Sequence, residues 1–178
     1  MKKSILIYCL SLLVTALLVF GVSFGLRGTA QANAQDEHLR TMRTLLPGSE
    51  SFVVKTYTGE DANIRSVHKG ETGFVIETTT AGYGDEITML IGVSNEGKVT
   101  GLVVTEMHET PGLGGNALCD WEFLSQFLNT SGQAQVGTNV DAISGATVTS
   151  KAITRCVNSA VAYVTGADAE SGATSWGG

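Results

Sequence analysis

At residues 141–150 the chain reads Asp141-Ala142-Ile143-Ser144-Gly145-Ala146-Thr147-Val148-Thr149-Ser150, a turn rich in hydroxyl groups that precedes a helical pattern. The Gly-Ala pair has little side-chain bulk, so another molecule can approach the backbone closely. Free N–H groups at the start of a helix attract a phosphate, by roughly 0.3–1 kcal/mol per charge at an exposed end. The alternative is an ordinary helix N-cap after a loop, because Ser, Thr and Asp all favour that position.

A helical pattern follows this stretch. Apolar residues recur at helical spacing at Ile153, Val157, Val161 and Val164, and Gly166 is suited to end the helix. We therefore predict that residues 141–150 lie at the start of a packed helix, where a binding site is held in a fixed geometry.

A second glycine-rich stretch, at residues 108–114, reads His-Glu-Thr-Pro-Gly-Leu-Gly. Pro111 fixes its own φ at about −65°, and Gly112 and Gly114 leave room for another molecule close to the backbone. A rigid loop with little bulk suits a wall against a planar ring. The alternative is the exit of a hairpin, built from ordinary turn residues.

Both stretches are similar to signatures of known proteins. The pattern Asp141-x-x-Ser144-Gly145-Ala146-Thr147 resembles the flavinylation motif of the FMN-binding domain family, in which the final threonine carries FMN through a phosphoester bond. The stretch at residues 108–114 is similar to a loop of the G subunit of the Rnf electron-transport complexes. The order and spacing of the two motifs also fit that family.

The resemblance implies a cofactor and a set of site residues. FMN would be attached covalently to Thr147, and no catalytic or metal-ligating residue is expected. Further residues are expected to contact the flavin or its tether: Asp141, Ser144, Gly145, Ala146, His108, Glu109, Thr110, Gly112, Leu113 and Gly114.

The resemblance also implies partners. A separate ApbE-type flavin transferase, which uses FAD and Mg2+, would attach the flavin. The assembled complex, with its other membrane and redox subunits, would couple electron transfer between ferredoxin and NAD+ to the transport of Na+ or H+. In that complex the chain would relay electrons and would have no independent catalytic activity.

Two alternatives stay open at this point. The first is the C subunit of the Na+-translocating NADH:quinone reductase, which shares the anchor and the flavinylated domain, although this chain is short for that protein. The second is a flavin-free, membrane-anchored interaction domain in which Thr147 is only a helix cap.

The N-terminus predicts a single transmembrane helix in contact with membrane lipid. Residues 4–26 carry no charge and are rich in Leu, Val, Ile and Phe. At about 1.5 Å per residue, such a helix crosses a hydrocarbon core of roughly 30 Å. Lys2 and Lys3 precede it, which predicts a cytoplasmic N-terminus and an extracytoplasmic domain. Small residues at 30–34 leave cleavage as a signal peptide as the alternative.

We divide the chain into a membrane anchor at 1–27, a linker with a connecting helix at 28–50, an FMN-binding domain at 51–166 and a flexible tail at 167–178. Without Lys2, Lys3 and Arg27, 8 of the 11 basic residues remain against all 17 acidic residues. The resulting net charge of −9, with His neutral, would repel nucleic acid.

The other patterns predict a compact α+β fold with antiparallel strands and packed helices. Helices are expected at 36–46 and at 117–128, the second with Trp121 in the core. Strands are expected at 51–58, 73–80, 87–94 and 98–107. The last two strands flank Asn95-Glu96-Gly97, whose glycine supplies the positive φ of a tight hairpin.

The tail repeats the motif as Asp168-x-x-Ser171-Gly172-Ala173-Thr174. No helical pattern follows this copy, and short termini of this composition are usually mobile. We therefore predict Thr147 as the acceptor. Cys119 and Cys156 either pair outside the cytoplasm or remain buried thiols, and the sequence leaves both possibilities open.

Overall fold

The structure, a computed structural model, describes residues 2–107 and 120–166. Of residues 2–11 and 22–33 it gives the helical backbone alone. The chain divides into two compact units, Met1–Thr41 and Met42–Gly178. The predicted loop at residues 108–114 and the predicted tail at 167–178 lie outside the described residues.

Helix α1 spans Lys2–Leu45 and supplies the whole described part of the first unit. The connecting helix that we predict at 36–46 is the last part of this longer helix. The leucine, valine and phenylalanine side chains between residues 12 and 20 are exposed. Within the parts of the chain that the structure describes, no helix combines the length and the apolar character needed to cross a membrane.

The second unit is built on a five-stranded antiparallel sheet whose strands are neighbours in the order of the chain. The strands are β1 (Val53–Lys55), β2 (Ile64–Lys69), β3 (Gly73–Ala81), β4 (Glu86–Ser94) and β5 (Val99–Met107). The predicted β4–β5 hairpin forms, with Gly97 at a φ of 79° and its N–H donating to the Ser94 carbonyl. The α+β fold with antiparallel strands is therefore confirmed.

The sequence pattern misses strand β2. Its two buried apolar residues, Ile64 and Val67, are three positions apart, whereas a regular strand alternates with a period of two. The pairing with β3 shifts register between Ile64 and Ser66, which lets both side chains reach the same core. Because such a bulge breaks the alternation, the segment does not resemble a strand in the sequence.

Two helices complete the unit, α2 (Trp121–Ser125) and α3 (Thr147–Thr165). Helix α2 is shorter than predicted, and the prediction that Trp121 is a core residue is wrong, because its side chain is 71% exposed. Phe123 and Phe127 take the core position instead, with ring centroids 5.4 Å apart. Asp120 begins the helix by accepting the N–H of Phe123, which turns Trp121 outward.

Helix α3 covers one face of the sheet and forms the larger core. Ile76, Met89 and Ile91 of the sheet meet Ile153 and Val157 of α3 in this core, and all five are at most 1% exposed. Cys156 also lies there as a free thiol, and burial raises its pKa to about 11. Of the two possibilities for Cys156, the structure has the buried thiol; Cys119 lies outside the described residues.

The other face of the sheet carries a smaller core. Met42, Leu45 and Leu46, at the end of α1, pack there on Val75 and Leu90. These strand residues alternate with those of the larger core, as expected for side chains on opposite faces of a sheet.

The end of α1 approaches the sheet closely at Gly92. A Cβ atom at this position would lie 2.2 Å from the carbonyl oxygen of Leu45 and 2.7 Å from the hydroxyl oxygen of Thr100. Thr100 donates its hydroxyl to the same Leu45 carbonyl. The absence of a side chain at Gly92 is therefore a condition for the smaller core.

We expect Gly92→Ala to destabilise the second unit by about 1–3 kcal/mol, because backbone must move to accommodate the methyl group. The midpoint of urea unfolding of the detergent-solubilised chain, followed by circular dichroism, measures this change. Gly21→Ala is the control, since an added Cβ there meets no atom within 4 Å. An unchanged midpoint for Gly92→Ala would contradict the close contact with Leu45.

Candidate functional site

The direction of α3 brings Thr147 to one end of the sheet. Arg155 donates through Nη2 to the carbonyl of Ala81, at the end of β3, with a distance of 3.2 Å. At the other end of α3, Thr165 lies against Gly97 in the β4–β5 turn. Thr147 precedes Arg155 by two helical turns, or roughly 12 Å. It therefore lies towards the end of the sheet that carries the β3–β4 hairpin.

Strand β5 ends at this same end of the sheet. Its last residue, Met107, pairs with Ile87, and Ala81 pairs with Glu86 of the same β4 strand. The chain therefore leaves β5 towards residue 108 at the end where α3 begins. The predicted site residues His108, Glu109, Thr110, Gly112, Leu113 and Gly114 themselves lie outside the described residues.

The motif forms a tight turn that leads into α3. The N–H of Ala146 donates to the carbonyl of Ile143 at 3.0 Å, and Gly145 has a φ of 80°. A positive φ at the third position of a four-residue turn is typical of a type II turn and favours glycine. A Cβ atom at Gly145 would meet no atom within 4 Å. The backbone conformation, and not a lack of space, therefore requires glycine here.

The N-cap of α3 is Ala146, which is 5% exposed and has no side chain that can cap the helix. Thr147 is the first helical residue, so the alternative in which Thr147 caps the helix is wrong. In the described part of the chain, the Thr147 hydroxyl has no hydrogen-bond partner, and neither do the Ser144 hydroxyl and the Asp141 carboxylate. All three side chains are exposed. None of the described contacts gives these three side chains a role in stabilising the fold.

Two side chains that the sequence analysis did not select hold the turn in place. The side-chain amide of Gln126 pairs with both backbone groups of Asp141: Oε1 accepts its N–H at 2.8 Å, and Nε2 donates to its carbonyl at 3.3 Å. The buried hydroxyl of Ser150 accepts the N–H of Ile143 at 3.2 Å and donates to the carbonyl of Ala146 at 3.0 Å. The turn is thus fixed at both ends before any cofactor binds.

The first turn of α3 suits a negative group. The first helical hydrogen bond runs from the Ser150 N–H to the Ala146 carbonyl, so the N–H groups of Thr147, Val148 and Thr149 precede the helical ladder. No acidic residue lies in this turn. The Thr149 hydroxyl is buried and has no partner among the described residues. Unpaired donors and an open approach at Gly145 fit the phosphate and tether of a nucleotide-like cofactor.

A metal centre has no support in the described ranges, 2–107 and 120–166. No group of three or more His, Cys, Asp or Glu side chains in these ranges could hold a metal ion.

We expect Ser150→Ala to lower the free energy of unfolding by about 1–3 kcal/mol, because the partly buried Ile143 N–H and the buried Ala146 carbonyl each lose a partner. Thr147→Ala should change it by less than about 0.5 kcal/mol, since the hydroxyl makes no described contact. Urea unfolding of the flavin-free chain measures both, with the exposed Ser144→Ala as control. A loss of about 1 kcal/mol or more in Thr147→Ala would restore the cap interpretation.

Comparison with known proteins identifies the family. Residues 82–162 match the family described as the FMN-binding domain. The G subunit of the proton-translocating ferredoxin:NAD(+) oxidoreductase complex of Clostridium ljungdahlii is 30% identical over 170 residues, which cover 92% of this chain and 89% of that protein. The G subunit of the ion-translocating oxidoreductase complex of Methanosarcina acetivorans is 34% identical over 148 residues, or 75% of this chain and 77% of that protein.

A third relative is similar over a shorter range. The G subunit of the Na(+)-translocating ferredoxin:NAD(+) oxidoreductase complex of Acetobacterium woodii is 37% identical over 100 residues, which cover 50% of this chain and 47% of that protein. Among solved structures, the crystal structure of Shewanella oneidensis NqrC has a TM-score of 0.43 and 23% identity, over 65% of this chain and 64% of that chain. This last likeness is too low to bear on function.

The first two relatives match along three quarters or more of this chain and of their own length. The FMN-binding domain match spans β4, β5, α2 and the motif at the start of α3. The chain therefore belongs to the family of G subunits of Rnf-type ion-translocating oxidoreductase complexes and contains an FMN-binding domain.

Proposed function

We propose that this chain is the electron-transfer subunit of an ion-translocating ferredoxin:NAD+ oxidoreductase complex, and that it carries FMN as a phosphoester on Thr147. One observation supports the attachment most directly: the Thr147 hydroxyl is exposed and unpartnered among the described residues at the first position of an uncapped helix, within the motif Asp141-x-x-Ser144-Gly145-Ala146-Thr147. The names of the relatives support this function over the quinone reductase alternative.

The residues of the site would hold the cofactor through its phosphate. The N–H groups of the first turn of α3, which begins with Thr147, have no partner in the helical ladder, and the helix dipole favours a negative charge there. Gln126 and Ser150 keep the turn in one conformation, so the attachment point does not move with the loop. FMN supplies the chemistry of taking up and releasing one or two electrons.

A covalent bond has a clear physical advantage at this site. The bond prevents dissociation, and a short tether holds the ring near its pocket at an effective concentration on the order of millimolar. Thr147 then acts as an attachment point and not as a nucleophile during electron transfer. The contacts proposed for residues 108–114 would complete the site from the end of β5.

We propose that an ApbE-type transferase installs the flavin from FAD. The Thr147 hydroxyl oxygen forms a bond to the FMN phosphorus, the bond between the two phosphates of FAD breaks, and AMP leaves. The hydroxyl proton passes to a base of the transferase, because the Thr147 hydroxyl contacts no basic group in the described part of this chain. Its exposure is a requirement for this step.

We also propose the domain arrangement that the sequence indicates, with an anchor at residues 1–27 and the FMN-binding domain at 51–166 on the extracytoplasmic side. The absence of charge between residues 4 and 26 supports the anchor, as does the helical backbone of α1 across this range. Lys2 and Lys3 support a cytoplasmic N-terminus.

Coexpression with a flavin transferase should add the mass of one FMN to the chain and give a fluorescent band in a denaturing gel. Thr147→Ala should lose both signals completely and retain its fold by circular dichroism. Thr174→Ala, in the second copy of the motif, is the matched control and should keep one FMN. An added mass that survives in Thr147→Ala would move the attachment elsewhere, and no added mass despite an active transferase would refute the carrier function.

The anchor predicts that the full chain stays with the membrane pellet after washing at alkaline pH. Deletion of residues 4–26 should move the protein to the soluble fraction, because the apolar segment that holds it in lipid is gone. Fractionation followed by immunoblotting measures this distribution. Release of the full chain by the wash would contradict a transmembrane anchor.

A further inference from the structure

A line of three residues on α3 begins at the proposed attachment point. Thr147, Lys151 and Arg155 are four residues apart, and residues at this spacing lie on one face of a helix. Thr147 is exposed and the other two are partly exposed, whereas Ala152, Cys156 and their neighbours face the core. The two basic groups therefore lie on the same side of α3 as Thr147, roughly 6 and 12 Å along the helix axis.

These two basic residues are unusual in this chain. They are the only Lys or Arg residues in the sequence from residue 99 to residue 178, which has seven Asp or Glu residues. Both occur on the outward side of the helix that begins with Thr147. In a segment with so many acidic residues, the folding of the helix alone does not explain why both basic residues share the side that carries Thr147.

The contacts of Arg155 leave its charge available. Its Nη2 donates to the Ala81 carbonyl at 3.2 Å, which holds the guanidinium beside the β3–β4 hairpin. Its Nε is buried and has no hydrogen-bond partner within residues 2–107 and 120–166. The nearby carboxylate of Glu86, at the start of β4, pairs with Arg65 at 3.6 Å. Within the described ion pairs, Arg155 has no carboxylate partner.

We propose that Lys151 and Arg155 form the surface that binds the isoalloxazine ring of the FMN on Thr147. This inference rests on the proposed function. A five-carbon ribityl chain separates the phosphate of FMN from its ring, so the ring begins about one and a half helical turns from Thr147, or roughly 8 Å, and its carbonyl edge can reach the level of Arg155, roughly 12 Å along the helix. The ammonium and guanidinium groups are donors for the carbonyl edge of the ring.

Such a surface would also tune the reduction of the flavin. Uptake of two electrons and one proton gives the initially neutral ring one negative charge, and the electrons come from the electrode or from a reduced partner. A cation at the ring edge stabilises this charged form more than the neutral one. At a distance of about 7 Å, and at an effective dielectric between that of water, about 80, and about 35 for a partly exposed pair, one charge should favour the reduced form about three- to tenfold.

The test uses the full chain with FMN attached, in detergent, at low salt and neutral pH. Spectroelectrochemical titration gives the midpoint potential, and fluorescence anisotropy reports the mobility of the ring. Lys151→Gln and Arg155→Gln should each disfavour the reduced form about three- to tenfold, and a tenfold change corresponds to about 30 mV for a two-electron couple. Both substitutions should also lower the anisotropy, because the ring loses a contact.

Two further variants separate charge from structure. Arg155→Lys keeps the charge and should retain a potential near that of the unaltered chain. Lys98→Gln removes the same charge in the β4–β5 turn, at the opposite end of α3, where Lys98 pairs with Glu96 at 3.7 Å. This control should leave both the potential and the anisotropy unchanged. If Arg155→Gln does not fold, Lys151→Gln still tests the ring-binding surface, with Arg155→Lys as the variant that keeps the charge. An unchanged potential and anisotropy in Lys151→Gln would then overturn the proposal.

The outcomes distinguish this inference from the proposed function. Full loading with FMN, together with an unchanged potential and anisotropy in Lys151→Gln and Arg155→Gln, would overturn the ring-binding surface and leave the carrier function intact. A chain that takes up no FMN would refute both. A shift of the potential of equal size in Lys98→Gln would mean that the potential responds only to the net charge of the chain. This result would also overturn the proposal that Lys151 and Arg155 bind the ring.

Discussion

The burial of one face of α3 against the sheet is the constraint on which the site depends. Ala152, Ile153, Cys156 and Ala160 are fully buried along this face. In their midst, the side-chain amide of Asn158 accepts the N–H of Ala134 and donates to its carbonyl, both at 2.9 Å. A rotation of α3 or a shift along its axis would leave this amide unpaired in the core, a penalty of about 1–3 kcal/mol for a buried group. The helix is therefore held in one orientation about its axis, and this orientation places Thr147, Lys151 and Arg155 on its outward side.

The motif at the start of α3 contains residues of two kinds. Gly145 supplies a positive φ, Ala146 fits a nearly buried N-cap, and Ser150, just after the motif, closes the turn by hydrogen bonds. Asp141, Ser144 and Thr147 present exposed polar groups for which the described residues provide no partner. Local folding explains the first kind and leaves the second kind unexplained. A modification site needs exposed polar groups that do not take part in holding the fold. The three side chains therefore agree with the proposed attachment of FMN.

Local signals predicted much of this structure. The periodicity from Ile153 to Val164 predicted α3, with its end at Gly166, and Asn95-Glu96-Gly97 predicted the β4–β5 hairpin. The rest depends on contacts between distant residues. The bulge in β2 removes the alternation that would reveal a strand, and the Asp120 cap sets which side of α2 is buried. The bonds between Gln126 and Asp141 join residues fifteen positions apart, so no local pattern could indicate them.

The charge of the domain bears on why its proposed cofactor is covalently held. Beyond Arg27 the chain has 8 basic and 17 acidic residues, so its overall field opposes an anion such as FMN. A freely dissociating flavin would have to overcome that field at each binding event. An ester on Thr147 removes the binding equilibrium, and the uncapped start of α3 then compensates the phosphate locally. Lys151 and Arg155 would extend the same compensation along the helix towards the ring, which leaves the rest of the surface free to remain acidic.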